Sequence, residues 1–145
     1  HTILNAGVDP GELTVFLFKD HGLNVPEDGL YTLETSYRKD PARAHAFVAA
    51  SIRGWLYAFD HPDEAIDIVL RRMRADNLPA NREHQKWMLM SVERLICVDG
   101  DRSKIGSLSP DDYHAVSVSL RESGLIDSMI GYDQFFIPTD AHAAN

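Results

Sequence analysis

The stretch FVAASIRGWLYAFDHPDEAIDIVL, residues 47–70, decides the fold class of this chain. From Pro41 onward, apolar residues recur three and four positions apart, which places them on one face of a helix. A second run with this period follows Asp60-His61-Pro62, where Pro62 suits the start of a helix and Asp60 offers an acceptor to free amides. The pattern therefore predicts two helices that meet at a corner. Their inward residues are Ala44, Val48, Ile52, Trp55, Leu56 and Phe59, then Ile66, Val69, Leu70 and Met73.

Beyond this pair, the sequence predicts two more helices and a little β-structure. One helix follows its cap, Asn81, and the other starts at Ser109 and ends at Gly124. The apolar run at 13–18 is rich in β-branched and aromatic residues, which predicts a strand buried on both faces. A second short extended piece is expected at 30–33. The fold class is therefore α/β, predominantly helical with few short strands.

Composition and charge exclude several kinds of partner. The formal net charge is −8 over 145 residues, and Lys and Arg are scattered among acids without a basic run. Nucleic acids and anionic membrane surfaces select clustered positive charge, so we expect neither as a partner. The single cysteine, Cys97, excludes an internal disulfide. It follows an apolar helix face, which indicates a small core residue rather than a nucleophile.

The chain lacks the residue spacings that catalysis or a metal site requires. Asp99-Gly100-Asp101 resembles the start of a calcium loop, but no glutamate closes the spacing. The histidines do not form the i, i+4 pair of a zinc-protease helix. Neither a glycine-rich phosphate loop nor a Gly-x-Ser-x-Gly elbow is present. We therefore predict that the chain is not an enzyme and needs no cofactor or metal.

Gly54 needs a physical reason, because a glycine inside a helix costs about 1 kcal/mol relative to alanine. One interpretation is the close approach of a neighbouring strand or helix, with Trp55 filling the core beside it. The other is a ligand that Trp55 contacts. We favour close packing, the commoner reason for such a glycine.

The loop from Asp20 to Thr32 is the segment most suited to ligand binding. It follows the predicted strand and contains acids, a histidine, two glycines and a tyrosine. In open α/β proteins, ligands lie at loops beyond the ends of strands. A plain connector between two elements explains this composition equally well.

Four motifs in chain order resemble a known family. They are a Gly-x-x-x-x-x-x-Gly-Leu-Tyr-Thr loop at 22–32, Asp-Pro at 40–41, Phe-Val-x-Ala-x-x-x-Gly-Trp-x-Tyr-Ala at 47–58 and His-Pro-Asp-Glu-Ala at 61–65. Together they resemble the C-terminal half of the periplasmic substrate-binding proteins for thiamine pyrimidine precursors, and of their relatives for alkanesulfonates and nitrate. The resemblance covers about residues 5–138. Its most specific part is the Gly-Trp helix followed by His-Pro-Asp-Glu-Ala.

The resemblance implies two α/β lobes joined by crossing strands, with a ligand closed between them by a hinge motion. The chain, 1–145, would be one domain: the helical C-terminal portion of a type II-like two-lobe periplasmic-binding-protein fold. Residues 1–33 would supply a crossing strand and the loop, 34–138 the helices on the first lobe, and 139–145 a tail. Because the chain starts without methionine, we expect it to be a fragment of a larger binding module.

Two functions follow from the resemblance. The first is a solute-binding protein that delivers a pyrimidine-like precursor or a small anion to a membrane ABC importer. The alternative is an extracytoplasmic sensor domain fused to a histidine kinase or a diguanylate cyclase. Both imply a small-molecule ligand and a periplasmic or extracytoplasmic location. We also expect a homodimer, because half of a two-lobe protein would expose apolar surface that seeks a partner.

Within the loop we predict that Tyr31, Asp28, Asp20 and Thr32 contact the ligand. The ring of Tyr31 can stack on a planar ring while its hydroxyl fixes the orientation. Asp28 and Asp20 can accept hydrogen bonds from ring amino groups, whereas they would repel a sulfonate or nitrate. The charges therefore favour a pyrimidine-like ligand over an anion.

Overall fold

The computed structural model describes residues 3, 6–22, 25, 28–97 and 100–139, apart from the side chain of Lys19. The α-helices with described bounds are α1 (Glu34–Lys39), α2 (Pro41–Asp60), α3 (Pro62–Ala75), α4 (Arg82–Ile96), α5 (Pro110–Glu122) and α6 (Tyr132–Phe135). Short 3₁₀ helices occupy Pro10–Glu12, Phe18–His21 and Arg102–Lys104. This part of the chain is thus helical, as the apolar period predicts.

The chain divides into two units by its internal contacts. Unit 1 consists of His1–Asp28 and Leu108–Phe136 and contains α5 and α6. Unit 2 consists of Gly29–Ser107 and Ile137–Asn145 and contains α1 to α4. The Asp20 to Thr32 loop of the sequence therefore contributes residues to both units.

The predicted helix–helix corner of unit 2 is confirmed. Helix α2 starts at Pro41, where the Asp40 side chain accepts a hydrogen bond from the Arg43 amide at 3.0 Å. His61 breaks the helix with φ −126° and ψ 57°, and Pro62 begins α3. The predicted capping role of Asp60 is wrong. Asp60 is the last residue of α2, so the cap position belongs to His61, and the Asp60 carboxylate pairs with Arg102 instead.

The core of unit 2 lies where α2, α4 and the segment after α4 meet. Its buried residues are Ile52, Phe59, Cys97 and Ile105. The predicted core position of Cys97 is confirmed, since the residue is 4% exposed. Trp55 and Val69 depart from the predicted inward face, because each is 42% exposed. Their helical phase is correct, but no other described side chain covers them fully.

Arg102 ties three segments of this core together. Its Nη1 donates to Asp60 Oδ1 at the end of α2 and its Nη2 donates to Glu93 Oε1 on α4, both at 2.6 Å. The guanidinium carbon also lies 5.7 Å from the centre of the Phe59 ring, within range of a cation–π contact. The hydrogen bonds that Arg102 donates to Asp60 and then to Glu93 raise the pKa of its guanidinium, so its charge is permanent. The sequence indicated only a polar connector here.

Unit 1 is held by hydrogen bonds and aromatic contacts around α5. Ser109 caps the helix, accepting hydrogen bonds from the amides of the second and third residues after it, and Gly124 ends it with φ +68°. Both predicted ends are confirmed. The Tyr113 hydroxyl donates to the Ile130 carbonyl and the Tyr132 hydroxyl to the Leu108 carbonyl, each at 2.7 Å.

The predicted strand at 13–18 is wrong for this structure. Residues 13–17 lie in no regular element, and Phe18 begins a 3₁₀ helix. The run is not buried, because Val15, Phe16 and Phe18 are each about three-quarters exposed. The extended piece at 30–33 is also not a strand. A strand needs a partner for its backbone groups, and the described residues contain no strand to provide one.

The close-packing explanation for Gly54 is wrong as well. A Cβ placed on Gly54 would have no heavy atom within 4 Å beyond its own helix backbone and its chain neighbours. Gly106 is the glycine beside the core of unit 2 where smallness matters. Its φ is +81°, and a Cβ there would lie 3.0 Å from Ile52 Cδ1.

These two glycines predict opposite effects of the same substitution. Gly54→Ala should raise the free energy of unfolding by about 0.5–1 kcal/mol, because alanine fits the helix and the space is open. Gly106→Ala should lower it by about 1 kcal/mol or more, through the left-handed backbone and the contact with Ile52. Urea unfolding of both variants measures the difference. A loss of stability in Gly54→Ala would contradict the open space beside that residue.

Replacing the charged side chain of Arg102 should destabilise the core of unit 2. We expect Arg102→Gln to lower the free energy of unfolding by about 1–2 kcal/mol, from two partly exposed ion pairs and one cation–π contact. Arg38→Gln is the matched control, because Arg38 pairs with Glu34 on an open helix surface, with both side chains 74% exposed. Equal losses in the two variants, measured by thermal unfolding in low and high salt, would refute the special role of Arg102.

Candidate functional site

The most exposed aromatic side chain of the predicted ligand loop is Tyr31, at 75%. Its ring folds back beside Gly29, two residues earlier in the chain. A Cβ placed on Gly29 would lie 2.9 Å from both Cζ and Oη of Tyr31, and 3.1 Å from Cε2. The ring therefore occupies space that exists only because residue 29 has no side chain.

The two aspartates of the predicted site are exposed carboxylates in unit 1. Asp28 has φ +59°, a left-handed conformation that aspartate tolerates better than most residues. Asp20 lies in the 3₁₀ helix Phe18–His21, and its amide donates to the Leu17 carbonyl at 3.0 Å. Both side chains are accessible to solvent and available as hydrogen-bond acceptors for a ligand.

Tyr31 and Thr32, both exposed, belong to unit 2. The four predicted contact residues are thus described in separate units, and residues 23, 24, 26 and 27 of the loop lie outside the described part of the chain. A joint role of the four in ligand binding stays a prediction.

Two depressions in unit 2 contain no residue of the loop. An apolar groove of about 200 Å³ lies between α2, α3 and α4, and Gln85 is a polar residue that lines it. Trp55 lines this groove and stacks on Phe59, with 5.7 Å between the ring centres. The second depression, of about 400 Å³, lies against Glu93, Arg94 and Cys97. Trp55 thus lines a groove of the helical scaffold.

Cys97 in the second depression does not have the properties of a nucleophile. Burial, and to a smaller extent the charge of Glu93, raise the pKa of its thiol, although Arg102 acts in the opposite direction. A reactive cysteine needs the reverse, a positive and partly open environment that stabilises the thiolate. The prediction of a structural rather than a catalytic cysteine agrees with this environment.

In the acidic connector after α4, Asp101 caps the 3₁₀ helix Arg102–Lys104. The Asp101 carboxylate accepts hydrogen bonds from the amide and the hydroxyl of Ser103, at 2.9 and 2.6 Å, and these bonds lower its pKa. Asp99, the first residue of the resemblance to a calcium loop, lies outside the described residues. Among the residues that are described, no group of three histidine, cysteine or acidic side chains is arranged to hold a metal ion.

Comparison with protein families finds a match over residues 3–65, to the family described as NMT1/THI5 like. Residues 3–65 are therefore similar to this family. The match contains all four motifs that suggested the resemblance, from the loop to His-Pro-Asp-Glu-Ala, and it confirms that resemblance to substrate-binding proteins for thiamine precursors, alkanesulfonates and nitrate. The resemblance beyond residue 65 stays a prediction. No curated protein and no solved structure matches the chain.

The NMT1/THI5-like segment contains the whole predicted ligand loop together with α1 and α2. None of the helices that the structure describes is both long and apolar enough to cross a membrane. Sequence reasoning selected Tyr31 as a ligand contact, which stays a prediction, and did not consider the space that Gly29 leaves for its ring. The available signal was a glycine two residues before an aromatic side chain in a loop.

The buried thiol predicts a specific pH dependence of stability. A pKa raised in the folded state stabilises the protein below the ordinary value of 9.0, and this contribution is lost as the pH rises through the folded-state pKa. The free energy of unfolding of the wild type should therefore fall above about pH 9. Cys97→Ala should show a shallower fall over the same range in urea titrations. Parallel curves for the two proteins would mean that Cys97 is not protected in the folded state.

Proposed function

We propose that this chain is part of a substrate-binding protein and that the Asp20 to Thr32 loop contacts the ligand. The family match over residues 3–65 carries the proposal, because the matched segment contains the loop and the helix after it and is similar to a substrate-binding family. The exposed Tyr31 ring adds chemistry that suits such a role. An accessible aromatic side chain at a fixed place in a loop is a platform for another planar ring.

The ligand class that we propose is a small amino-substituted heteroaromatic ring, such as a pyrimidine. Tyr31 would stack on the ring, and the exposed carboxylates of Asp20 and Asp28 would accept hydrogen bonds from amino groups. A sulfonate or nitrate would meet these carboxylates, and a net charge of −8, without compensation by a nearby cation of the loop. Thr32 can add a hydroxyl donor at the end of the loop.

The complete binding site would require a second lobe, so we propose that the chain functions within a larger two-lobe module. Few apolar side chains of the described chain are buried, whereas Phe16, Phe18, Leu33 and Leu95 are each more than 70% exposed. Such side chains are commonly covered by another protein surface. The remaining lobe of the module would cover part of them, and a homodimer is the alternative cover.

The partner that we propose for the whole protein is a membrane importer of the ABC type, in a periplasmic or extracytoplasmic location. A sensor domain fused to a histidine kinase or a diguanylate cyclase remains the alternative. The two differ in the domains joined to the binding module in the full-length gene product, so its complete sequence discriminates between them. A kinase or cyclase domain there would replace the importer proposal by the sensor.

Calorimetric titration of the full-length protein tests the ligand proposal. An aminopyrimidine should bind, taurine and nitrate should not, and Tyr31→Ala should weaken aminopyrimidine binding about tenfold or more, from the loss of one aromatic stacking partner. Tyr57→Ala is the matched control, because Tyr57 is a half-exposed tyrosine on α2 that donates to Glu64 rather than facing the loop.

Three outcomes would contradict the proposal. Binding of taurine or nitrate in place of the aminopyrimidine would overturn the ligand class. Unaltered affinity in Tyr31→Ala would remove the loop from the site. An equal loss in Tyr31→Ala and Tyr57→Ala would indicate a general effect on the fold.

A further inference from the structure

Gly29 has no conformational need to be a glycine. Gly29 is not among the residues with a positive φ angle, so a residue with a side chain can adopt its backbone conformation. Its smallness matters toward Tyr31, because Cζ, Oη and Cε2 of that ring are the three nearest heavy atoms to the position of a Cβ, all at about 3 Å.

An alanine at position 29 would collide with the ring in the conformation that the structure shows. Carbon atoms pack at about 3.5–4.0 Å, so a contact of 2.9 Å to Cζ cannot persist. Because three-quarters of Tyr31 is exposed, there is space for its ring to adopt another rotamer. The substitution should therefore alter the position of the Tyr31 ring.

We propose that Gly29 is a positioning residue for ligand recognition, which selects the orientation in which Tyr31 presents its ring. This inference rests on the proposed role of Tyr31 in binding. Because residue 29 has no side chain, the ring can lie with its hydroxyl end beside the main chain, an orientation that a Cβ would exclude. An orientation that the free protein already adopts costs less conformational freedom on binding.

The geometric part of the inference is tested without any ligand, by NMR on the 145-residue chain. The wild type should show nuclear Overhauser contacts between the Hα protons of Gly29 and the ring protons of Tyr31. Gly29→Ala should shift the Tyr31 ring resonances and remove the contact to Hα. Gly54→Ala is the matched control, since the space beside Gly54 is open, and it should leave these resonances in place. Unshifted Tyr31 resonances in Gly29→Ala would overturn the inference.

A double-mutant cycle tests the binding part, with the full-length protein and 4-aminopyrimidine as the probe. Gly29→Ala should weaken binding about threefold to tenfold through the lost preorganisation of one side chain. In a Tyr31→Ala background it should have no further effect, because the two residues would act as one. A similar weakening in both backgrounds would show that Gly29 acts independently of Tyr31 and would overturn the inference.

The two proposals fail in different ways. Unaltered affinity in Tyr31→Ala refutes the proposed role of the loop, and with it any contribution of Gly29 to binding. If Tyr31→Ala weakens the affinity for 4-aminopyrimidine but Gly29→Ala leaves it at the wild-type value, only the positioning role of Gly29 is refuted. The tyrosine would then remain a ligand contact that adopts its pose without help from residue 29.

Discussion

The arrangement of the segments in unit 2 depends on the pairing of Arg102 with Asp60 and Glu93. The hydrophobic core of this unit is small, and two of its members, Cys97 and Ile105, lie in the segment that follows α4. Apolar burial is not directional, so it does not by itself determine where such a segment lies. Two charge-assisted hydrogen bonds in a fixed fork do so, because each requires a donor and an acceptor in one geometry.

The contacts of Arg102 also explain why a small hydrophobic core is sufficient for this helical scaffold. Arg102 covers the Phe59 ring while Asp60 lies at the corner between α2 and α3. The corner, α4 and the following segment therefore share one side chain. Partly exposed ion pairs contribute little individually. Here one guanidinium makes three contacts that hold three segments together, so the conformational entropy of only one arginine side chain is lost.

The candidate site differs from this scaffold in how it is built. Helices α1 and α2 join through Asp40, and Tyr37 hydrogen-bonds to His45 across the junction at 3.0 Å. The loop before them is exposed and contains a tyrosine placed by the absence of a side chain at Gly29. An exposed loop beside a helical scaffold is a usual arrangement for binding residues. It is consistent with the similarity of residues 3–65 to a substrate-binding family.

The type of each long helix and the positions of several helix ends were determined by the sequence alone. Asn81, Ser109 and the Asp60-His61-Pro62 corner mark helix ends through contacts that span a few residues, so local pattern was sufficient. The ligand contact predicted for Tyr31 rests on its chemistry within a motif and stays a prediction. The tertiary structure decided the rest: the run at 13–18 forms no strand, Gly54 has open space, and Arg102 reaches a residue 42 positions away. Strand pairing, packing against glycine and long-range ion pairs depend on which distant segments meet, and no local period contains that information.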